Sequence, residues 1–445
     1  MQRLLLISFY FLSITLPLNA QWIELGANSV FNQETTIAID NSGYIYAAAG
    51  DFVDSNGKYY VAKWNGVNWS ELGTGANALN ANAQITSIAI DDTGNLYAVG
   101  GFTDSTGLWY VAKWNGTKWS KMLGENISNY IDVATDVFGN IYAVLGQDSN
   151  LTTYVAKWDG KSSSKLIAKS DTINSGVNFS AIAIDKLGNV YVAGYANSTS
   201  YVAQWKDSIW VELGTGGNGL NANNVIFSIT TDDSGNVYVG GLFTNANGKT
   251  YVAKWNGIGW SEVGANDNVF NANYAIYSLA FDSDDNLYAS GALFYSSGKV
   301  YISKWDGVAW IELGDTSFYV MKYGGIDDIC IDNSGNVYVV VAGDTTTSEW
   351  CVAEYRWNAA VTGIANTTSS ITITAYPNPT NGSLTITSPE AGQVVVYNTL
   401  GETVATQNVV QGNNLISFEK APNGIYTLIL TGQNGNYTPV KIVKD

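Results

Sequence analysis

The chain has 445 residues and a formal net charge of -17, and it combines 15 Trp, 28 Tyr and 46 Gly with two Cys and no His. A strongly acidic surface repels phosphate backbones and anionic headgroups, so nucleic acids and membrane surfaces are poor partners. Without His, the Ser-His-Asp and Cys-His catalytic systems and His-ligated zinc are excluded. The sequence also contains no P-loop or Rossmann fingerprint, and we expect neither a cofactor nor a metal site.

The first twenty residues, MQRLLLISFYFLSITLPLNA, have the pattern of a secretory signal peptide. Arg3 precedes an apolar run from Leu4 to Leu16, and the segment ends at the small residue Ala20. We predict that residues 1–20 are a signal peptide cleaved between Ala20 and Gln21. No later stretch approaches the roughly 20 apolar residues that a membrane helix needs, so no integral membrane segment is expected.

A phrase of the type AIDDTGNLYAVGG occurs seven times after this segment. Each copy contains an aspartate, a short turn and then a hydrophobic-Tyr pair, and successive aspartates are 45 to 51 residues apart. This is the period of four-stranded propeller blades. The seven aspartates are Asp40, Asp91, Asp136, Asp185, Asp232, Asp282 and Asp332.

Each unit is predicted to contain four strands, exemplified by SIAI, LYAVGG, YVAKW and WSELG, which we call strands A to D. The turn between A and B reads DxxGN. Asp at its first position accepts backbone hydrogen bonds, and Gly at its fourth position adopts a left-handed conformation. Asp285 replaces this Gly in the sixth unit, and Asp is among the residues that tolerate the conformation. We predict that the seven aspartates are structural.

The last unit lacks a WxELG segment after Asn358, whereas an unpaired WIELG lies at Trp22–Gly26. The simplest account is that this N-terminal strand completes the seventh unit and hides the strand edges of an open array. The predicted fold of residues 21–358 is therefore an all-β, seven-bladed β-propeller closed by an N-terminal strand. An open solenoid is the alternative, but it leaves the lone strand unexplained.

The repeats resemble the bacterial NHL and SBBP-type propeller families in the phrase D-x-x-G-N-hydrophobic-Tyr, and the W-N-G-x-x-W half is reminiscent of kelch-like repeats. The resemblance covers residues 21–358 and implies the architecture. It implies no activity, because such families contain binding modules, scaffolds and enzymes.

Residues 359–370 form an uncharged small-residue linker, and residues 371–445 have short alternating strands typical of a small β-sandwich. The phrases YPNPTNG, VVVYNTLGETV, NGIYTL and VKIVKD closely resemble the type A C-terminal sorting domain of the bacterial type IX secretion system. An ordinary Ig-like module is the alternative. We predict a small Ig-like β-sandwich here, and the resemblance implies the type IX machinery as partner and a secreted or outer-membrane-surface protein of a Gram-negative bacterium. The motif residues are Pro377, Asn378, Pro379, Gly382, Gly401, Gly424, Tyr426 and Lys441.

Ligand-binding residues are expected where the repeat varies, on the rim formed by the D-to-A and B-to-C connections. Three D-to-A connections contain Asn-Ala-Asn, and the last contains DTSFYVMKYGG with aromatic residues beside a lysine. Loop formation by Asn and packing of the aromatics over the channel are the alternatives. The predicted ligand-binding residues are Asn80, Asn82, Asn221, Asn223, Asn271, Asn273, Phe318, Tyr319, Lys322 and Tyr323.

The sequence favours a monomeric binding or adhesion module with a glycan or an extracellular protein as ligand. Two alternatives remain open: an extracellular polysaccharide hydrolase or lyase that uses carboxylate and Tyr residues, and a structural surface component. No catalytic residue is assigned. A pair of buried acids that breaks the repeat symmetry on the variable rim would favour the enzyme.

Overall fold

The protein is described by a computed structural model covering residues 21–26, 35–49, 52–125, 130–146, 153–167, 178–196, 199–214, 218–264, 274–293, 302–313, 325–342, 350–356, 375–388, 390–398, 403–432, 435–436 and 440–444. The chain divides into two compact units, Met1–Trp357 and Asn358–Asp445. The described residues contain β-strands and a single short 3₁₀ helix, Gly75–Asn77.

The described part of the N-terminal unit contains seven antiparallel four-stranded sheets. The first strand, β1 (Gln21–Glu24), is set apart in sequence from the sheet that it joins. Sheet 1 contains β2 (Thr35–Ile39), β3 (Ile45–Ala49), β4 (Ala62–Trp64) and β5 (Trp69–Glu71). Sheet 2 contains β6 (Ile85–Ile90), β7 (Leu96–Gly100), β8 (Trp109–Trp114) and β9 (Trp119–Glu125). Sheet 3 contains β10 (Tyr130–Thr135), β11 (Ile141–Leu145), β12 (Tyr154–Trp158) and β13 (Ser163–Leu166). Sheet 4 contains β14 (Asn178–Ile184), β15 (Val190–Ala196), β16 (Thr199–Lys206) and β17 (Ile209–Glu212).

The remaining sheets repeat this order. Sheet 5 contains β18 (Ile226–Thr231), β19 (Val237–Gly241), β20 (Ala253–Trp255) and β21 (Trp260–Glu262). Sheet 6 contains β22 (Ile276–Phe281), β23 (Leu287–Gly291), β24 (Ile302–Trp305) and β25 (Trp310–Leu313). Sheet 7 contains β26 (Ile326–Ile331), β27 (Val337–Ala342) and β28 (Trp350–Arg356), and β1 is its fourth strand.

The N-terminal strand pairs with the end of the unit, as the WIELG segment predicts. Gln21 lies opposite Arg356 and Glu24 opposite Ala353 in an antiparallel register. The first strands of the sheets also contact one another in a closed cycle, because β2 contacts β6 and each following first strand contacts the next until β26 contacts β2. The first and last sheets of the unit are therefore neighbours.

The DxxGN turn is held by its aspartate, as the second unit illustrates. Asp91 Oδ1 accepts hydrogen bonds from the backbone N–H groups of Thr93 (3.0 Å) and Asn95 (2.9 Å). Asp91 Oδ2 accepts from the Asn95 side chain and from the Tyr97 hydroxyl, both at 2.8 Å. Gly94 has a φ of 81°, and Asp285 has a φ of 62°. The Asn and the Tyr of the repeated phrase thus complete the turn.

In five of the seven sheets, a tryptophan of the fourth strand hydrogen-bonds the preceding sheet. Trp119 Nε1 donates to the Leu72 carbonyl at 2.7 Å, and Trp260 Nε1 donates to the Leu213 carbonyl at 2.6 Å. Trp69 of sheet 1 donates in the same way to the Leu25 carbonyl, at 3.0 Å. Leu25, which follows β1, therefore accepts an indole N–H from sheet 1 in the same way that Leu72 and Leu213 accept one from the sheets that follow them.

The C-terminal unit has two described sheets around one apolar core. The first contains β29 (Ala375–Tyr376), β30 (Ser383–Ser388) and β33 (Gly412–Ser417), and the second contains β31 (Gly392–Tyr397), β32 (Thr403–Val409), β34 (Gly424–Gly432), β35 (Gly435–Asn436) and β36 (Val440–Lys444). Both sheets supply core residues, among them Leu384, Val396 and Leu428.

The YPNPTNG motif is attached to the last strand of this unit. The Asn378 side chain donates to the Lys441 carbonyl at 2.7 Å and accepts from the Val443 N–H at 2.8 Å. Gly382 has a φ of +107°, and a Cβ atom there would lie 2.6 Å from Cε of Lys444. The YPNPTNG motif and β36 are thus held together by two hydrogen bonds and a close packing contact.

Candidate functional site

A cavity of about 710 Å³ lies where the first strands of all seven sheets begin. We call it the chamber. Gln84, which leads into β6, is part of its wall, so the chamber opens on the side of the D-to-A connections. The DxxGN turns follow the opposite ends of the same strands. The chamber therefore lies on the rim where the sequence varies.

A β-bulge places side chains in the chamber. In six sheets the register between the first and second strands shifts near the start of the first strand, for example between Ile226 and Ser228 and between Ile276 and Ser278. A bulge leaves one residue unpaired and re-aims its side chain. The six bulge residues all line the chamber: Thr86, Ile131, Ser180, Phe227, Tyr277 and Asp327.

In five of the six bulged sheets the side chain after the bulge hydrogen-bonds a neighbouring sheet, and in two of them it is an aspartate. Asp132 accepts from Ser87 Oγ of the preceding sheet at 2.7 Å and from the Ile182 N–H of the following sheet at 3.1 Å. Asp328 accepts in the same way from Ser278 Oγ at 2.9 Å and from the Ile37 N–H at 3.0 Å.

These two carboxyl groups break the symmetry of the repeat. The equivalent residues are Thr36, Ser87, Ala181, Ser228 and Ser278, which are small and uncharged. Burial raises the pKa of Asp132 and of Asp328, and hydrogen bonds to each carboxylate oppose this shift. The negative charge of Asp328 also contributes to the raised pKa of Asp132. The two acids thus interact electrostatically within one chamber.

Two aromatic side chains lie side by side in the chamber wall. The rings of Phe227 and Tyr277 have centroids 5.6 Å apart at an interplanar angle of 60°. Phe227 is 38% exposed. Burial, and then the negative charge of Asp327, raises the pKa of Tyr277. Exposed rings beside polar groups are suited to stacking on a ligand.

Four predicted ligand-binding asparagines are exposed and form part of the loop structure. Asn82 donates to Thr103 Oγ1 at 3.0 Å and accepts from the Thr103 N–H at 2.8 Å. Asn223 makes the same pair of bonds with Thr244. Asn80 and Asn221 have left-handed φ values of 52° and 50°. None of the four lines the chamber, and their binding role stays a prediction.

Several predicted residues lie outside the described part of the chain: Ala20, Asn271, Asn273, Phe318, Tyr319, Lys322, Tyr323 and Gly401. The segment from 314 to 324 leads into Gly325, where a Cβ atom would lie 3.0 Å from the Tyr277 ring. Among the described residues, no group of three or more Asp, Glu or Cys side chains is placed to hold a metal ion.

Sequence reasoning missed Asp132, Asp328, Phe227 and Tyr277. The signal was present four and five residues before each turn aspartate, where hydroxyl-bearing residues are replaced by acids or aromatics in some units. The repeat period alone does not show that the bulge residue and the residue after it both line the chamber.

Two family models match this chain, one in the tail and one within the repeat region. Residues 374–445 match a family described as the secretion system C-terminal sorting domain. The tail is a type IX sorting domain. Residues 169–201 match a family of β-propeller repeats. The protein is thus a secreted or cell-surface protein of a Gram-negative bacterium that carries β-propeller repeats.

Solved structures with the same fold have little sequence identity to this chain. The WD40 repeats of RRP9 match at 15% identity and a TM-score of 0.51, covering 76% of this chain and 100% of that one. Virginiamycin B lyase from Staphylococcus aureus matches at 10% identity and a TM-score of 0.50, covering 75% and 98%. The likeness shows a β-propeller type of fold.

PorZ, a surface component of the type IX secretion system of Porphyromonas gingivalis, matches at 14% identity and a TM-score of 0.49. The match covers 93% of this chain but 59% of PorZ. A search of curated protein sequences finds no relative. In the ranges that the structure describes, no helix has the length and hydropathy required to cross a bilayer.

Proposed function

We propose that residues 21–358 form a closed seven-bladed β-propeller that follows a signal peptide (1–20). A linker (359–370) then joins it to an Ig-like sorting domain (371–445). The seven four-stranded sheets, the pairing of β1 with β28 and the cycle of contacts between first strands support this arrangement. The proposed mature protein is a monomer, because β1 completes sheet 7 and the cycle of first-strand contacts closes within one chain.

We further propose that the propeller is a binding or adhesion module whose ligand, a glycan, enters the chamber. The observation that carries this proposal is the loss of repeat symmetry in the chamber. Phe227 and Tyr277 occupy the position of Thr86 and Ser180, and Asp132 and Asp328 occupy the position of Ser87 and Ser228. Pockets of 300 to 1,000 Å³ hold small ligands, and the chamber is in this range at about 710 Å³. An aromatic pair among hydrogen-bonding groups suits a sugar ring, which has both apolar faces and hydroxyl groups.

The segment before Gly325 is proposed to add Phe318, Tyr319, Lys322 and Tyr323 to this site. Its support is the close approach of Gly325 to the Tyr277 ring. A protein ligand remains an outcome of the test below.

A binding screen of the purified mature chain tests the proposal. Soluble polysaccharides and matrix proteins are titrated, and shortened or unsaturated products are measured in the same wells. We expect saturable binding of a polysaccharide that is weakened about fivefold by Tyr277→Leu, because stacking on an aromatic ring contributes on the order of 1 kcal/mol. The exposed Phe138 lies on the opposite side, in a DxxGN turn, so Phe138→Leu serves as the matched control. Binding that is equally strong in both variants would place the ligand elsewhere.

A polysaccharide hydrolase or lyase is the second candidate, since Asp132 and Asp328 are a symmetry-breaking acid pair on the variable rim. Each carboxylate, however, accepts hydrogen bonds from a serine, from its own neighbouring backbone N–H and from the next sheet. A general acid or base must have its proton site available to the substrate, and this arrangement favours binding. Product release that is abolished by Asp132→Asn or Asp328→Asn would establish the enzyme instead.

A further inference from the structure

Five of the hydroxyl groups in the chamber wall direct their hydrogens into the protein, whereas Ser228 Oγ accepts from the Leu279 N–H at 3.1 Å. Thr86 Oγ1 lies 3.3 Å from the carbonyl oxygens of both Tyr130 and Ile131. Ser180 Oγ donates to the Ile226 carbonyl at 3.0 Å. A hydroxyl has one hydrogen to donate and two lone pairs. Once the hydrogen is engaged by a carbonyl, the hydroxyl can offer a ligand only an acceptor.

Three further hydroxyls donate to the two chamber aspartates. Ser87 Oγ donates to Asp132, while Ser278 Oγ and Thr36 Oγ1 donate to Asp328, at 2.9 and 3.2 Å. An ionised carboxylate only accepts hydrogen bonds. Five hydroxyls and two carboxylates thus make this wall rich in acceptors, and a complementary ligand supplies donors.

The charge of the wall agrees with this donor and acceptor count. The described lining includes Asp132, Asp327 and Asp328 and contains no Lys or Arg. Fields of one sign in a cleft attract ligands of the opposite sign and reject those of the same sign. If the segment before Gly325 adds Lys322, as proposed above, the three carboxylates still outnumber that single cation. Anionic sugars are therefore disfavoured.

The same fold already holds an ammonium group between an aromatic ring and an aspartate. Lys304 Nζ lies 5.0 Å from the centroid of the Tyr288 ring and 3.2 Å from Asp282 Oδ2. Lys254 Nζ lies 5.0 Å from the Tyr238 ring. A cation over an aromatic face is stabilised by the ring quadrupole, and Phe227 and Tyr277 provide such faces inside the chamber.

We propose that the chamber binds a sugar bearing a protonated amine, with the ammonium among the acceptors of the wall and the ring against Phe227 and Tyr277. The inference rests on the proposed glycan-binding function. An ammonium group has three donors and no acceptor, which matches the wall, whereas an N-acetylated sugar places a carbonyl acceptor at the same position and lacks the charge.

The test compares glucosamine oligomers with N-acetylglucosamine oligomers of equal length. The mature full chain is titrated with each by calorimetry, at a pH that protonates the amine. We expect the amine oligomer to bind about tenfold more tightly, as one desolvated cation–π and carboxylate contact permits. Tyr277→Leu and Asp328→Asn should each reduce this preference at least threefold.

Two control variants separate the chamber from general attraction to an acidic protein. Asp233→Asn removes one exposed carboxylate from a turn on the opposite side, and Phe138→Leu removes one exposed ring there. Both controls should keep the wild-type preference. If Asp233→Asn lowers it as much as Asp328→Asn does, the attraction is general and the inference is overturned. Tryptophan fluorescence checks folding, and Tyr277→Leu carries the test should Asp328→Asn fail to fold.

The remaining outcomes distinguish this inference from the function on which it rests. Equal or tighter binding of the N-acetylated oligomer would overturn the amine and leave glycan binding intact. Failure of both oligomers and of every polysaccharide in the screen would overturn the glycan-binding function itself. Binding of a lysine-rich peptide but of neither oligomer would replace the sugar with a protein ligand.

Discussion

Ring closure can be tested by comparing two leucines that occupy equivalent places, one after the N-terminal strand and one in mid-chain. Leu25 is 5% exposed and packs among residues of the first and last sheets. Leu213 is 7% exposed and packs between sheets 4 and 5. The carbonyl of each accepts an indole N–H from the next sheet. In a closed ring, the two leucines are therefore expected to contribute equally to the free energy of unfolding.

The expected cost of Leu25→Ala follows from this burial. The substitution removes three carbon groups, each of which contributes about 0.8 kcal/mol when buried. The lost transfer energy is about 2.4 kcal/mol, and an unfilled cavity raises the total to about 3 to 5 kcal/mol. Leu213→Ala should cost the same within about 1 kcal/mol. In an open array, Leu25 would lie at a fraying end and its truncation would cost far less.

Urea unfolding followed by tryptophan fluorescence measures both costs. All 15 tryptophans lie at or before Trp357, so the signal reports the N-terminal unit alone. The denaturant slope should be unchanged in both variants, which shows that only the stability differs. Val67→Ala, at a hairpin tip that is 70% exposed, is the neutral control. A cost below about 1 kcal/mol for Leu25→Ala beside a full cost for Leu213→Ala would refute the closed ring.

Three further predictions address the turns, the chamber and the tail. Asp185→Ala should destabilise the N-terminal unit by about 3 to 5 kcal/mol in the same assay, because the buried carboxylate accepts four hydrogen bonds in its turn; a loss under about 1 kcal/mol would contradict this role. Since the folded-state pKa of Asp132 is raised, chiefly by burial, its contribution to stability is present below the ordinary carboxyl range and is lost as the pH rises through the raised value. The unfolding free energy of the wild type relative to Asp132→Asn should accordingly increase on acidification from neutral pH, and a flat or opposite trend would show the sign to be wrong. Gly382→Ala should lower hydrogen-exchange protection in the tail and leave the tryptophan-monitored transition unchanged, because φ is +107° and a Cβ there would lie 2.7 Å from the backbone Cα of Glu419; full protection would contradict it.

Much of the fold could be predicted because its local signals are strong. The DxxGN turn requires an acceptor at its first position and a left-handed residue at its fourth, and both requirements are visible in the sequence. The pairing of WIELG with the last sheet was predicted from a missing strand and is confirmed. The sorting domain was recognised from ordered motifs at the chain end and is confirmed by its family match.

The chamber could not be predicted in the same way. Its two aromatics are bulge residues and Asp132 and Asp328 each follow a bulge. A bulge changes the direction in which a side chain points without a change in composition. The alternation of inward and outward side chains along a strand therefore does not reveal that Phe227 and Tyr277 line the chamber. The Asn-Ala-Asn segments attracted attention because they recur, yet Asn82 and Asn223 each hydrogen-bond a threonine of a neighbouring loop.

The most direct test of the central claim, that the chamber is the binding site, is hydrogen exchange of the mature chain with and without a saturating glycan from the screen. The account predicts increased protection at the starts of the first strands, above all in 226–229 and 276–279, with no change in the DxxGN turns or in the tail. Protection confined to the turn side or to residues 375–444, with none in the chamber strands, would contradict it.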